Sequence, residues 1–268
     1  MPFVDIPEGK ILIGSNKGGL IHGSERPRYQ AQIQSFKIMD SLLTRKQYAR
    51  IMGRDDESEE NVDDLPWEEI ENIITIVQEE IGTEHEVRLP SHAEWLRSKD
   101  HLGFELPLAC EEILWDHPHN NNRGAPLDGW PRIDDRMESM MRRYRVCMKS
   151  HPKRSGIVFK SQTPIFSAQK NAHLRLLIRR KSESESIVIP EEADFNAILK
   201  QEALFALFIG IIPSFLIPIF RGYSDYVFEG WANLLFGGIC FSLVTATIWR
   251  PRRPTWYLNE GGGGLTSK

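Results

Sequence analysis

The side chains best suited to chemistry lie in one polar segment, WDHPHNNNRGAPLDG (residues 115–129). It contains Asp116, His117 and His119, and imidazole together with carboxylate is a ligand set for zinc or iron. On a strand, His117 and His119 would share one face because they are two residues apart. The segment is also typical of a polar loop whose Asn, Asp and His side chains bond their own backbone, and we favour that interpretation. Its carboxylate and amide oxygens would suit calcium as well.

The three cysteines, Cys110, Cys147 and Cys240, form no disulfide framework. Cys147 lies in the strand-like segment YRVCM (144–148), where a lone cysteine is typical of a small buried hydrophobe. A catalytic thiol at Cys147 is the alternative. The chain carries neither of the glycine-rich motifs that cradle phosphates in nucleotide-binding proteins.

Two apolar runs without any charged side chain, residues 203–220 and 231–249, dominate the C-terminal part. A helix needs about 20 mostly apolar residues to cross a bilayer, so we predict a transmembrane helical hairpin. The alternative is a pair of buried core helices, but such helices usually keep a polar stripe. Pro213 and Pro218 predict a kink in the first run, or else a shallow re-entrant helix.

Charge predicts how this hairpin is oriented. The loop between the runs holds Arg221 as its one basic residue. The basic residues that flank the pair of runs are Arg179, Arg180, Lys181, Lys200, Arg250, Arg252 and Arg253. By the positive-inside rule both termini are cytoplasmic, so we expect a multi-pass membrane protein with the lipid bilayer as its partner. The N-terminus also shows no signal peptide. A net charge of −4 offers no basic field for nucleic acid, which we exclude as a partner.

The remaining segments predict a polar domain over residues 1–181 that positions the polar segment. Strand patterns open the chain and recur at 144–148, 156–160 and 173–180. Helices are predicted from Thr44 and from Ser91, each with a capping box, and from Pro66 as a first helical residue. We expect a charged linker and amphipathic helix over 182–202 and a flexible cytoplasmic tail over 250–268.

The order of these segments resembles the formylglycine-generating enzyme family, also called the sulfatase-modifying factor domain. RLPSHAEWLR (88–97) is very close to the family's RLPTEAEWE signature. The other stretches that carry the likeness are FVDIPEGKILIGS, SERPRYQAQIQSFKIMDSLLTRKQYARIMG, LPWEEIENII, RGAPLDGWPR, YRVCMKS and NAHLRLLIRR, which together span about residues 3–180. The resemblance implies an α+β, C-type-lectin-like fold. The signature itself predicts structure: Arg88 as a buried ion-pair partner and Trp95 as a core anchor.

What the resemblance implies about activity depends on whether the chain has the family's active-site cysteines. Aerobic members of the family oxidise a substrate cysteine with a pair of active-site cysteines and copper, and soft thiolates suit Cu(I). The matching interval here, residues 149–174, contains no cysteine. No catalytic residue carries over. We therefore expect a membrane-anchored binding or scaffolding module without that activity, with ligand-binding loops at 104–135 and a protein or peptide partner.

Three further expectations accompany this one. The family resemblance implies a structural calcium ion, with ligands unassigned. The alternative function is a metal-dependent enzyme of the same superfamily that uses Asp116, His117 and His119. A third possibility is a subunit of a membrane complex in which the hairpin is the functional part, although its spans lack the ionisable groups of an ion or proton pathway.

Overall fold

Over the residues that the structure describes, three four-stranded sheets and a set of helices form a mixed α+β fold. The computed structural model describes residues 1–17, 20–134, 136, 138–168, 171–181, 186–192, 195–222, 224–248, 253–259 and 264–267. In chain order the strands are β1 (Phe3–Ile6), β2 (Gly9–Ile13), β3 (Arg28–Ile33), β4 (Phe36–Met39), β5 (His85–Arg88), β6 (Glu111–Ile113), β7 (Tyr144–Ser150), β8 (Val158–Pro164), β9 (Ala172–His173), β10 (Leu177–Arg180), β11 (Thr255–Leu258) and β12 (Leu265–Ser267). The helices are α1 (Arg45–Ile51), α2 (Trp67–Ile81), α3 (His92–Leu102), α4 (Phe195–Phe205), α5 (Ile212–Arg221) and α6 (Asp225–Ile248).

The sheets bring together strands that are far apart in the sequence. Their orders are β1-β4-β10-β5, β12-β11-β3-β2 and β8-β7-β6-β9. In the third sheet β8 is an edge strand that pairs antiparallel with β7, which places Lys160 opposite Met148. This edge becomes one wall of the pocket described below.

Local capping signals predict the helix starts well. Thr44 and Ser91 form capping boxes with Gln47 and Glu94, so α1 and α3 begin where predicted. Helix α2 begins at Trp67, one residue later than predicted. Pro66 is its N-cap, with an extended ψ of 152°, and is not its first helical residue.

The RLPSHAEW signature folds as a buried ionic core, as its structural interpretation predicts. The Glu94 carboxylate accepts hydrogen bonds from Arg88 at 2.7 and 2.8 Å and from Arg179 at 2.9 Å. Both guanidinium groups lie over the Trp130 ring, with their carbons 4.9 and 4.6 Å from its centroid. Trp95 is fully buried beside this cluster. These contacts join α3 to β5 and β10, and so they position the start of α3.

Parts of the linker and of the tail belong to the folded domain, which corrects two sequence-based expectations. Within the predicted linker, Ile189 is fully buried and Ser186 donates to Asp128. Residues 182–185 and 193–194 lie outside the described residues. Within the predicted flexible tail, β11 pairs in parallel with β3 and Trp256 packs on the core. Four residues of high β-propensity (TWYL) thus find an open sheet edge, and this pairing outweighs the glycine-rich sequence that follows.

The first apolar run forms a helix long and apolar enough to cross a membrane, judged by length and composition. It extends over Leu199–Phe220, is only 17% buried in its most apolar window, and has a π-helical segment at Ala206–Ile211 between α4 and α5. The second run lies in α6, where the apolar stretch Glu229–Val244 is shorter than a candidate membrane span. Trp249 lies outside the described residues. Among the described residues, one helix is thus both long and apolar enough to span a membrane, and a hairpin of two spans is not shown.

Candidate ligand-binding pocket

A pocket of about 660 Å³ opens on the polar domain. It is formed by the start of α3, the loop after Asp116, strand β7, the edge strand β8, and the end of β2 with Gly14, Ser24 and Glu25. Its polar lining includes His92, His119, Asn122 and Lys160, and apolar side chains such as Phe159 complete the wall. A concave, mixed polar and apolar cavity of this size is typical of a small-molecule site.

Asp116 fixes the loop that carries the histidines. Its two carboxylate oxygens accept the backbone N–H groups of His92 and Arg132, each at 2.6 Å. The carboxylate thereby ties the first residue of α3 to the far end of the loop. Burial raises the pKa of Asp116 despite these two hydrogen bonds and the Lys160 charge, which lower it. The Asp116 side chain therefore has a structural role beside the pocket: it holds the loop and the start of α3 together.

The two pocket histidines are neutral at physiological pH. Burial lowers the pKa of His92 to about 3 and that of His119 to about 4, and the Lys160 charge acts in the same direction on both. The His119 Nε2 atom is buried and has no hydrogen-bond partner among the described residues. This ring nitrogen is therefore available to a ligand that enters the pocket.

Lys160 is the cation of the pocket. Among the described residues its ammonium group has no hydrogen bond or ion pair, although the residue as a whole is exposed. Desolvation by the pocket walls lowers its pKa, with Asp116 raising and Arg132 lowering it to smaller extents. An anionic partner stabilises an ammonium group that is partly desolvated and unpaired.

The opposite wall depends on a glycine and an asparagine. Gly14 has a φ of +84°, and a side chain there would collide with Asn122 and the Glu25 carbonyl. The Asn122 amide donates to the carbonyls of Glu25 at 2.9 Å and of Pro27 at 3.2 Å. These contacts hold Glu25 and Pro27 against the loop that carries His119, and so they fix this wall of the pocket.

Both cysteines of the polar domain are buried and unpaired. Burial raises the pKa of Cys147 to about 12, assisted by Glu111, and raises that of Cys110 to about 12, assisted by Glu112. Thiols in such surroundings stay protonated at neutral pH and react poorly. Neither sulfur lines the pocket, so the catalytic alternative for Cys147 gains no support from its position.

The structure brings Asp116, His117 and His119 together, around a cavity of about 30 Å³ beneath the pocket. Their contacts resemble those of a polar loop: the Asp116 oxygens hold backbone N–H groups, and the His117 Nδ1 accepts from Asp134 N at 3.1 Å. Over the described ranges no group of three or more His, Cys, Asp or Glu side chains could hold a metal ion. The metal site and the structural calcium stay predictions.

Sequence reasoning missed His92 and Lys160 as pocket residues. His92 lies inside the RLPSHAEW signature, whose other residues account for the signature by their structural roles. Lys160 is one of many lysines in the chain and lies in a strand that carries no motif. The predicted ligand loops at 104–135 contribute Pro118, His119 and Asn122 to the pocket. Trp115, another residue of these loops, instead stacks with Trp67 at 5.4 Å between ring centroids.

Comparisons with known proteins identify the fold and leave the family open. No family model matches the chain, and no curated protein matches it. A solved structure, PvdO from Pseudomonas aeruginosa, is similar with a TM-score of 0.50 and 11% sequence identity. The match covers 66% of this chain and 94% of PvdO. At that identity the likeness shows shared architecture alone: most of this chain is folded like PvdO.

Proposed function

We propose that the chain is a membrane-anchored binding module whose polar, sulfatase-modifying-factor-like domain takes a ligand in the 660 Å³ pocket. In this proposal the domain has the C-type-lectin-like form of that family. The two apolar runs form a transmembrane hairpin, and the module does not perform cysteine oxidation. The domain and both termini face the cytoplasm, because the basic residues flank the hairpin.

The observation that carries the anchoring part is where the chain leaves and re-enters the domain. The segment before α4 is packed into the core at Ile189, and the segment after α6 returns as β11 to pair with β3. If Leu199–Phe220 crosses a bilayer once, the chain must cross back before residue 253 to make that pairing. In this proposal α6 makes the second crossing, and the pairing of β11 with β3 supports it.

The surfaces of these helices support a lipid environment. Large apolar side chains point outward along both, including Phe220 at 84%, Phe236 at 69% and Phe208 at 63% exposure. A contiguous apolar surface of this kind in water is a strong aggregation liability. Lipid removes that cost without any further protein partner.

Contacts between the helices also suit a membrane. A Cβ on Gly210 would lie 2.7 Å from the Gly238 carbonyl oxygen, so the backbones touch where the two glycines cross. Ser214 and Ser242 are buried close by in sequence, and each bonds a carbonyl of its own helix. Small residues at a close crossing are typical of helix pairs in bilayers.

Binding is favoured over catalysis because the pocket has donors and a cation but no activated thiol. The metal-dependent alternative requires ligands at His117 and His119. It predicts stoichiometric metal in the purified protein that is lost when both are changed to alanine. The Asp116 oxygens and the His117 Nδ1 atom, which are candidate metal donors, already accept hydrogen bonds from backbone N–H groups. This supports the binding module instead.

Membrane fractionation of the full chain tests this proposal. The protein should sediment with membranes, resist extraction at alkaline pH, and be released by detergent. A peptidyl-cysteine oxidation assay on the detergent-purified protein should show no activity. A chain that stays in the supernatant would contradict the anchor, and an activity abolished by Cys147→Ser would contradict the non-catalytic assignment.

A further inference from the structure

The pocket is connected to the base of the apolar helices by a short chain of hydrogen bonds. Arg253, which follows α6, donates its backbone N–H to the Asn16 carbonyl at 2.7 Å. Its guanidinium donates to the Gln201 side chain, near the start of the apolar helix, at 3.0 Å. Gly14, two residues before Asn16, lines the pocket, as do Ser24 and Glu25 of the 3-10 helix Leu20–Glu25.

The distances involved are small on the scale of a membrane surface. Gly14 and Asn16 are two residues apart, so at most about 7 Å separates their Cα atoms. The headgroup layer on each side of a bilayer is about 5–8 Å thick. If Gln201 and Arg253 lie at the membrane surface, as the proposed anchoring requires, the Gly14 wall lies at or just beyond the headgroup layer.

The pocket chemistry matches a molecule that is polar at one end and apolar at the other. Lys160 provides an ammonium group without an ion-pair partner among the described residues, and the buried His119 Nε2 atom lies along the same pocket. The apolar lining includes Leu96, Val158 and Phe159, and Phe159 is 46% exposed. Glu25 also lines the pocket, which favours a ligand that keeps its negative charge at the Lys160 end.

We infer that the pocket receives the phosphate-bearing head of a membrane phospholipid, with Lys160 as counter-ion to the phosphate and the apolar wall against the glycerol and acyl groups. This inference rests on the proposed binding module and names the class of its ligand. The shared chemistry is a phosphate group, which a free anion also carries. The experiment below therefore separates lipid from free phosphate.

The test uses the full-length protein in an uncharged detergent. Calorimetric titration with dihexanoyl phosphatidic acid, a soluble short-chain phospholipid, is expected to show saturable binding of one molecule per chain. Inorganic phosphate is expected to bind at least about tenfold more weakly, because it lacks the apolar contacts. Dihexanoylglycerol is also expected to bind at least about tenfold more weakly, because it lacks the charge.

Substitutions assign the site. Lys160→Gln is expected to weaken binding of the short-chain phospholipid about tenfold or more, because a charge-assisted contact is lost. Lys160→Arg is expected to restore most of it. Lys153→Gln removes an exposed lysine that does not line the pocket and is the matched control. Circular dichroism of each variant reports whether the fold is retained.

Three results would overturn the inference. Equal binding of phospholipid by the wild type and Lys160→Gln would remove Lys160 from the site. Inorganic phosphate binding as tightly as the phospholipid would make the site one for a free anion. If the protein sediments with membranes but binds no phospholipid, the inference fails while the anchored module stands.

Discussion

The substitution Glu94→Gln should destabilise the polar domain more than any exposed charge change. The Glu94 carboxylate receives two hydrogen bonds from Arg88, one from Arg179 and one from the Ser91 backbone N–H at 2.8 Å. Both guanidinium groups are almost fully buried. A glutamine is similar in shape but uncharged, and it offers one acceptor oxygen where the carboxylate offers two.

The magnitude follows from leaving two buried cations without their anion. Breaking a buried ion pair by removing one partner costs about 3–5 kcal/mol. A domain has only about 5–15 kcal/mol of total stability. With about 2–4 °C per kcal/mol for a chain of this size, the unfolding midpoint should fall by roughly 6–20 °C.

Tryptophan fluorescence measured during thermal and urea unfolding in detergent reports this change. Trp130 contacts both guanidinium groups and should sense their rearrangement directly. The control is Glu68→Gln, an exposed glutamate in the first turn of α2, which should stay within about 0.5 kcal/mol of the wild type. If Glu94→Gln is as stable as that control, the ionic core does not stabilise the fold and the reasoning is refuted.

Three further predictions concern acid stability, helix crossing and domain autonomy. Because the pKa values of His92 and His119 are about 3 and about 4 in the folded chain but about 6.5 when unfolded, the unfolded state takes up protons first. Stability should therefore decline as pH falls below about 6.5, by roughly 2–3 kcal/mol per histidine at pH 4.5, and His92→Gln should flatten this decline. Gly238→Val should lower the stability of the detergent-solubilised protein by about 1–3 kcal/mol, because a Cβ there would lie 2.6 Å from the Gly210 carbonyl oxygen. Replacing residues 203–252 by a short Gly/Ser linker should yield a soluble, folded domain, because the flanking side chains of Gln201 and Arg253 are hydrogen-bonded to each other.

Each of these has a contradicting result, and the first two have a matched control. His101→Gln changes an exposed histidine at the end of α3 and should leave the pH dependence of urea unfolding as it is; a flat wild-type profile between pH 6.5 and 4.5 would contradict the histidine assignment. Gly237→Val places the same side chain where no atom lies within 4 Å, so an equal effect at both glycines would argue against a specific crossing. An aggregated or unfolded linker variant would mean that the apolar helices are part of the domain core.

Local signals predicted much of the domain. The capping boxes at Thr44 and Ser91 and the Arg88–Glu94 ion pair depend on residues close together in the chain, so short-range chemistry identifies them. Arg179, the other cation of the ionic core, comes from the distant strand β10. The apolar run at 203–220 is likewise a composition signal, and the structure has an apolar helix over Leu199–Phe220. The hairpin, the orientation and the ligand-binding role stay proposals.

The pocket and the returning strand could not be predicted in this way. Lys160 and His92 come from different elements and meet because β8 and α3 flank one cavity. Strand β11 exists because β3 offers an open edge, which nothing within TWYL reveals. For Asp116 the sequence favoured a polar loop and left a metal ligand as the alternative, since a carboxylate that holds backbone N–H groups and one that binds a metal look the same in a sequence.

The side of the membrane on which two engineered cysteines react tests the central claim most directly. Ser224→Cys lies in the loop between α5 and α6, and Ser267→Cys lies in β12 of the polar domain; both serines are exposed. In sealed membranes, with Cys240 replaced by alanine and the buried Cys110 and Cys147 left in place, an impermeant maleimide should label the two positions from opposite sides. Labelling of both from the same side would contradict a hairpin that crosses the bilayer twice.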